Sequence, residues 1–340
     1  MPRALAVLFI AASLALSARA QYIGAAPIDQ AADLADAFRN LWDSLRGRKP
    51  PTQIPAGDGP ALGRLISWNV QILGRKASKA RKEALRLGLG RALQGAGATV
   101  FAAQEVANDA GAGILARQLP DGGRDWQTSF ANTPNPQDNA LYFNSGVQVN
   151  CAMALNIPGV KSPPRMAHVQ VGDADFTVLS VHLSYAKGDA SVSAAELALI
   201  LAWTRAKMAE PGADQDLVIA GDFNLPTRRG RTLSARSRER SWSPIEDILG
   251  DGFEALIDAP TSRSGREAAV NNYDHFIVSR HFADSILVVA GAVDEAEIAL
   301  AERETGTRAS DHFPIAMTFR KSGAGRDGRP IATDGPSVCR

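Results

Sequence analysis

Asn69, Glu105, His182, Asp222, Asn224, Asp274, Asp311 and His312 share one setting: each stands where a short apolar run ends or is about to begin. Leu65–Trp68 stops at Asn69, Thr99–Ala103 at Gln104-Glu105, Phe176–Val181 at His182, and Leu217–Ala220 at Gly221-Asp222-Phe223-Asn224. Asn271-Asn272-Tyr273-Asp274-His275 leads into Phe276–Val278, and Ser310-Asp311-His312 leads into Ile315–Phe319. Ligand sites of α/β proteins gather at such strand ends. Carboxylates, amides and imidazoles collected there can move protons and hold a hard cation, the equipment of metal-assisted hydrolysis.

The donors decide the kind of metal. The chain has 2 Cys and 5 His and no Cys/His cluster along the sequence, so structural zinc is not indicated. Carboxylate and amide oxygens suit Mg2+, with Mn2+ as a substitute and Ca2+ as a structural ion. Glu105 is the leading direct ligand, with Asn69 and Asp311 beside it. Taken singly, each cluster reads as a solvated loop or a turn, and His182 as a core histidine. Six of them in order along one chain change that reading.

Strands must hold these residues. From Arg64 to Arg320, apolar runs alternate with helical patterns, and Leu141–Val149 and Ile286–Val289 read as further strands. One helix is expected over 79–93. Another opens on Ser193-Ala194-Ala195-Glu196, read as a capping box, and carries Leu197, Ile200, Leu201, Thr204 and Met208 on one face before Pro211-Gly212 stops it. Upstream, Leu34, Ala37, Phe38, Leu41, Trp42 and Leu45 recur at helical spacing, followed by a Pro/Gly-rich linker. Arg3, the apolar run Ala4–Leu16 and Ala18-Arg19-Ala20 read as a signal peptide cleaved before Gln21.

The expected organisation is therefore a signal peptide (1–20), a helix with linker (21–62), a catalytic domain (63–320) and a disordered tail (321–340). A secreted or periplasmic monomer is expected, with no segment long enough to span a membrane once the signal is removed. In such a compartment Cys151 and Cys339 could be bridged or remain separate thiols, and spacing does not choose between them.

With 45% hydrophobic and 21% charged residues, the composition excludes collagen, coiled coil and wholesale disorder. A net charge of +1 argues against a protein that coats nucleic acid by charge alone. Removing Arg3 and Arg19 leaves 35 basic against 36 acidic residues. Two basic stretches stand out within that balance. Arg75, Lys76, Lys79, Arg81 and Lys82 follow the Asn69 strand end, and Arg228, Arg229, Arg231, Arg236, Arg238 and Arg240 follow Gly-Asp-Phe-Asn. Beside a hydrolytic site, such runs read as phosphate contacts; elsewhere they would be solvated faces.

The ordered set Trp68-Asn69-Val70-Gln71, Gln104-Glu105-Val106, His182-Leu183, Gly221-Asp222-Phe223-Asn224, Tyr273-Asp274-His275 and Ser310-Asp311-His312 resembles the endonuclease/exonuclease/phosphatase superfamily over about residues 64–320. Within it the likeness is to secreted deoxyribonuclease I-like nucleases, through Ser67-Trp68-Asn69-Val70-Gln71-Ile72-Leu73-Gly74 and the lysines Lys76 and Lys79. The resemblance implies a four-layer α/β/β/α sandwich of two packed mixed β-sheets. It also implies roles: Glu105 holds Mg2+, Asp274 orients His312 as general base, and His182 acts toward the phosphoryl or leaving oxygen. Asp222 and Asn224 orient water, metal or phosphoryl oxygens, and Asn69 and Asp311 complete the metal shell.

Departures from the pattern fall outside that core. The acid expected to pair with His182 has only Asp138 as a counterpart. Ala107 stands where a DNA-contacting Arg is expected, and Pro136 lies near the place of a groove-reading Tyr. Arg165 is the remaining candidate for a phosphate contact. The implied substrate is DNA, with RNA as a further possibility. The alternatives on the same fold are a phosphoinositide phosphatase, a sphingomyelinase acting on phospholipid, a subunit like the nuclease chain of cytolethal distending toxin, or a silent binding module.

Overall fold

Most of the apolar runs become strands covered on both faces, which is why they read as continuous rather than alternating. The computed structural model describes residues 63–319 apart from 95–96, 134, 136, 173, 231–241, 243, 264–268 and 294. One sheet runs from edge to edge as β11 (Leu287–Ala292), β12 (Ile315–Phe319), β1 (Gly63–Leu73), β2 (Ala98–Val106), β4 (Asp138–Asn144) and β3 (Trp126–Phe130). The other runs as β5 (Gln148–Ala154), β6 (Arg165–Val171), β7 (Ala174–His182), β8 (Leu217–Asp222), β10 (Asp274–Ser279) and β9 (Phe253–Ala255). In each sheet the central pair, β1 with β2 and β7 with β8, is parallel, and the flanking pairs are antiparallel.

Three apolar cores separate the layers. Leu65, Val100, Leu141, Val169, Phe176, Val178, Val218 and Phe276 fill the space between the sheets. The outer face of the first sheet packs on α1 (Lys79–Ala92), α2 (Asp109–Ala116) and α6 (Glu295–Thr305) through Trp68, Leu85, Leu89, Phe101, Leu115 and Ile298. The outer face of the second packs on α3 (Ala190–Met208) and α4 (Ile245–Leu249) through Leu197, Ile200, Leu201, Ile219, Ile245 and Leu249. This is the expected four-layer α/β/β/α sandwich. A short α5 (Arg280–Ser285) sends Phe282 into the inter-sheet core.

Two local expectations change. The run Leu141–Val149 is two strands in different sheets, because Asn144 Oδ1 accepts from both Thr99 N (2.8 Å) and Gly146 N (3.2 Å) and turns the chain there. The proposed capping box does not cap. Helix α3 starts earlier, with Asp189 accepting from Ser191 N, and Ser193 and Glu196 lie inside it, buried. Ser193 Oγ donates to Ser184 O, while the Glu196 carboxylate accepts from Lys161 N, Ser184 N and Ser184 Oγ at 2.7–3.0 Å. The same residue types that cap a helix thus clasp two loops to it.

The signal peptide, the upstream helix and linker and the C-terminal tail lie outside the described residues, as does Cys339; Cys151 is buried on β5. Among the described residues no helix is long and apolar enough to cross a membrane.

Candidate active site

The C-terminal ends of the four central strands point to one place, and each carries a polar residue: Asn69 on β1, Glu105 on β2, His182 on β7 and Asp222 on β8. Asn69 Nδ2 donates to Glu105 Oε1 (3.1 Å) and to Asp222 Oδ2 (2.9 Å), joining the sheets across their interface. Beneath it, Gln104 Nε2 donates to Ser67 Oγ (3.2 Å) and Ser180 Oγ (3.1 Å), a second bridge through the buried interface. β10 begins with Asp274 opposite Asp222, and the loop before β12 brings in Asp311 and His312.

Backbone distortion aims these side chains. The β1–β2 ladder breaks between Asn69 and Leu73, and the β2–β4 ladder between Ala103 and Val106. Such bulges re-aim side chains. Glu105 (φ 60°), Gln71 (φ 51°), Ile72 (φ 48°) and Asn224 (φ 50°) all lie in the left-handed region although none is glycine. Strain of this kind costs about 1–3 kcal/mol per residue and persists where its surroundings enforce it. Arg81 is one enforcer: its Nη2 donates to Val70 O (2.6 Å) and Gln71 O (2.5 Å), and its Nε to Ala309 O (3.2 Å). Gly221 (φ 152°) permits the close approach of β8 to β7 just before Asp222, since a Cβ there would stand 1.9 Å from Val181 O.

His312 Nδ1 is 2.7 Å from Asp274 Oδ2, which fixes the Nδ1–H tautomer and turns Nε2 toward Asp222 Oδ2 at 3.6 Å. Trp68 Nε1 donates to His312 O, and His312 N donates to Ser310 Oγ. Farther back, Arg263 forks onto Glu302 and stacks on Phe313 at 3.9 Å, bracing the segment that carries His312. His182 Nε2 approaches from the other side, 3.6 Å from Glu105 Oε1 and 3.7 Å from Asp222 Oδ2. Asp222 therefore lies between two imidazoles.

Burial sets the electrostatics. It pushes the Asp222 carboxyl up to about 6, with Asp274 adding to the rise and His312, His182 and the Asn69 bond opposing it. Burial also opposes charge on His312, but the carboxylates of Asp274, Asp222 and Asp311 outweigh it and lift that imidazole to about 10. With protein groups alone, His312 is thus an imidazolium at neutral pH, balancing the surrounding acids. A divalent cation among the same carboxylates would displace that need for a proton.

The residues that would hold such a cation are Glu105 and Asp311, which line one cleft and both act on Arg81. Their hard oxygen donors fit Mg2+ or Mn2+. Asn69 fits less well as a ligand. Its Oδ1 accepts from Gln71 N (2.9 Å), and its Nδ2 faces the carboxylates, so it orients Glu105 and Asp222 instead. Asn224 gives its N to Asp222 Oδ1 and its Nδ2 to Leu183 O, shaping the turn beside the cleft.

Several expected contacts fall elsewhere. Asp138 does not pair with His182: its two oxygens accept from Thr133 N (3.0 Å) and Thr133 Oγ1 (2.5 Å), and burial raises its carboxyl. Arg165 lies half-buried at the active end of β6, its Nε on Ser129 Oγ (2.7 Å), and does not line the cleft. Arg228 donates its backbone N to Glu246 and its guanidinium to Asp247, and Arg229 lies 3.9 Å from Asp258, so acids already stand against the start of that basic stretch. Arg231 lies outside the described residues, and Lys76 is exposed beyond the cleft.

Among the described residues, the cations lining the cleft are instead Lys161 and Lys187. With Asn135, Gln137, Tyr185 and Tyr273 they complete a cavity of about 760 Å³ around Glu105, His182, Asp222 and His312. Tyr185 is 48% exposed, and its ring lies 6.4 Å from that of Tyr273. The sequence held a sign of this wall, since Tyr185-Ala186-Lys187 follows the His182-Leu183 motif after a single residue.

Comparison with known proteins agrees with the fold. No curated protein sequence matches the chain. Among solved structures, a functionally unknown conserved protein from Enterococcus faecalis V583 superposes with a TM-score of 0.53 at 14% identity, covering 76% of this chain and 100% of its own. TDP2 from D. rerio, complexed with single strand DNA product, gives 0.52 at 16% identity over 76% and 98% of the two chains. ANGEL2, a 2',3'-cyclic phosphatase, in complex with adenosine-2',3'-vanadate, gives 0.54 at 15% identity over 76% and 95%. The profile of the Endonuclease/Exonuclease/phosphatase family covers residues 66–312, and the chain, with its ordered polar strand ends, belongs to that family of phosphoesterase hydrolases.

Proposed function

We propose that this chain is an exported, Mg2+-dependent endonuclease that hydrolyses DNA phosphodiesters. The observation that carries the reading is the composition of the cleft. Its floor holds the His312–Asp274 pair, Glu105 and His182, and its far wall presents Lys161, Lys187 and an exposed Tyr185. Cations beside an exposed aromatic suit a strand of phosphates and unpaired bases, which stack on such rings for about 1–3 kcal/mol each. The structural neighbour complexed with single strand DNA product lends the same support. Export rests on the N-terminal sequence pattern.

In this mechanism Asp274 holds His312 so that Nε2 takes the proton from the attacking water, which Asp222 Oδ2 also contacts. His182 donates a hydrogen bond from the opposite side, toward a phosphoryl oxygen. Glu105 and Asp311 would hold Mg2+, which when bound would supply charge neutralisation at the phosphate. Lys161 and Lys187 draw the strand in, and Tyr185 stacks on a base.

The test is a substrate panel on the mature chain: supercoiled plasmid, single-stranded DNA, RNA, sphingomyelin and phosphoinositides, each with Mg2+ or with chelator. Nicking and single-strand cleavage that need Mg2+ are expected. Turnover of sphingomyelin or an inositol lipid without nicking would overturn the nuclease reading.

A further inference from the structure

A second cluster of potential metal ligands lies on the other face of the second sheet. His168 on β6, Asp175 on β7 and Asp214, just before β8, bring one ligand atom each to within 4.8 Å of one another, and all three are buried. They stand at the end of β7 opposite His182. Seven residues of strand separate Asp175 from His182, about 23 Å at 3.3 Å per residue. The face also differs. His182 turns toward the inter-sheet space, whereas Met166 and Leu179, on the same strand faces as His168 and Asp175, pack in the outer core with α3.

Orphaned polar atoms mark this place. His168 Nε2, Asp214 Oδ2 and Thr177 Oγ1 are buried without a hydrogen-bond partner, and Thr177 pairs with His168 across the β6–β7 ladder. His168 is 2% exposed and Asp214 0%. Leaving such atoms unmatched is costly, and more so for a charged group. His168 Nε2 stands 3.3 Å from Asp214 Oδ2 and 3.7 Å from Asp175 Oδ2. Ligand atoms bound tetrahedrally at 2.0–2.1 Å stand about 3.3–3.4 Å apart. The His168–Asp214 separation is that of two atoms sharing a cation, and the Asp175 oxygen stands a few tenths of an ångström beyond it.

The surroundings also fit. Asp216 N donates to Asp214 Oδ1 (2.8 Å), leaving Oδ2 to face His168. The Asn150 amide lies 3.0 Å from His168 Nδ1. With its oxygen turned to an Nδ1–H, that amide leaves the Nε2 lone pair aimed at the carboxylates, the usual arrangement behind a metal-bound histidine.

We infer that His168, Asp175 and Asp214 form a structural site for a Zn2+-type cation, distinct from the catalytic centre. The bound ion would tie β6 and β7 to the segment entering β8. Zinc was not indicated by the sequence because its donors come from three separated segments rather than a spaced motif.

The experiment uses the full chain with Glu105→Gln, which weakens the catalytic metal site, stripped by chelator and titrated with Zn2+. One Zn2+ per chain and a rise in Tm are expected. Adding His168→Gln or Asp214→Asn should weaken that binding more than about tenfold and abolish the Tm rise. In the otherwise unaltered chain, the same two substitutions should leave Mg2+-dependent turnover in place. If either variant fails to fold, Co2+ added to the unaltered chain under saturating Mg2+ decides: one equivalent should shift the His168 ring resonances. Zn2+ uptake indifferent to both substitutions, or no Co2+ effect on His168, would overturn the site and leave a buried ion pair.

Discussion

Replacing Asp274 with Asn removes one charge and almost no volume, so it isolates the electrostatic part of the His312–Asp274 pair. His312 rises from 6.5 to about 10 in the fold. At about 1.36 kcal/mol per pH unit, that rise is worth roughly 5 kcal/mol, shared among Asp274, Asp222 and Asp311. An independent route gives a similar scale. Opposite charges centred about 4 Å apart in an effective dielectric of about 20 attract by roughly 4 kcal/mol. Asp274, the nearest partner, should therefore supply on the order of 3 kcal/mol in the metal-free chain. The sign follows from linkage: a raised basic group stabilises fully below its unfolded pKa and loses that contribution as pH climbs through the folded one.

The Asp274→Asn chain should consequently be less stable than the parent by roughly 3 kcal/mol near pH 6, with the gap closing toward pH 10. Above that pH, Asp274 keeps a buried charge while its Oδ1 has no hydrogen-bond partner, and the Asn form should be at least as stable. Urea unfolding of both chains in chelator from pH 6 to pH 10 measures this. With saturating Mg2+, turnover of the variant should fall about 10²–10⁴-fold, the range for a lost base or its orienting acid. A stability gap that stays constant with pH would refute the charge argument, and near-normal turnover would refute the role of the pair.

Other perturbations read different parts of the cleft. Asp222 is raised from 3.8 to about 6, so its stabilising term is complete below the lower value and lost as pH rises through the upper one. Asp222→Asn should be inactive yet up to about 3 kcal/mol more stable than the metal-free parent at pH 7; a variant that is no more stable above pH 6 would contradict this. Glu196→Ala releases the clasp on Lys161 and Ser184, and should raise KM for DNA about tenfold while changing kcat little; an equal fall in kcat would point to the chemistry instead. Tyr185→Ala should weaken single-stranded DNA binding by about 1–3 kcal/mol, measured by fluorescence anisotropy, and should barely affect a small phosphodiester without bases. Equal losses on both substrates would remove stacking as its role.

The sequence determined which strand ends carry the polar residues of the candidate site. Asn69, Glu105, His182, Asp222, Asp274 and His312 are legible there because each interrupts an apolar run, and a polar break at the end of a buried strand needs a reason. Strands β3, β6 and the short edge strand β9 escaped, since none of them carries a long apolar run. Only the tertiary structure decided how neighbours are used. Arg81 looked like a phosphate contact and became a brace for backbone carbonyls, because the bulge at Gln71 left those carbonyls without ladder partners. Glu196 looked like a helix cap and became a clasp, because the helix starts one turn earlier. Arg228 met acids from a helix that its own sequence neighbourhood does not reveal. His168, Asp175 and Asp214 converge from three segments, none of which reads as a metal motif alone. Residue type and spacing carry what a strand end can do; which charges meet across the fold is set by packing between segments distant in sequence.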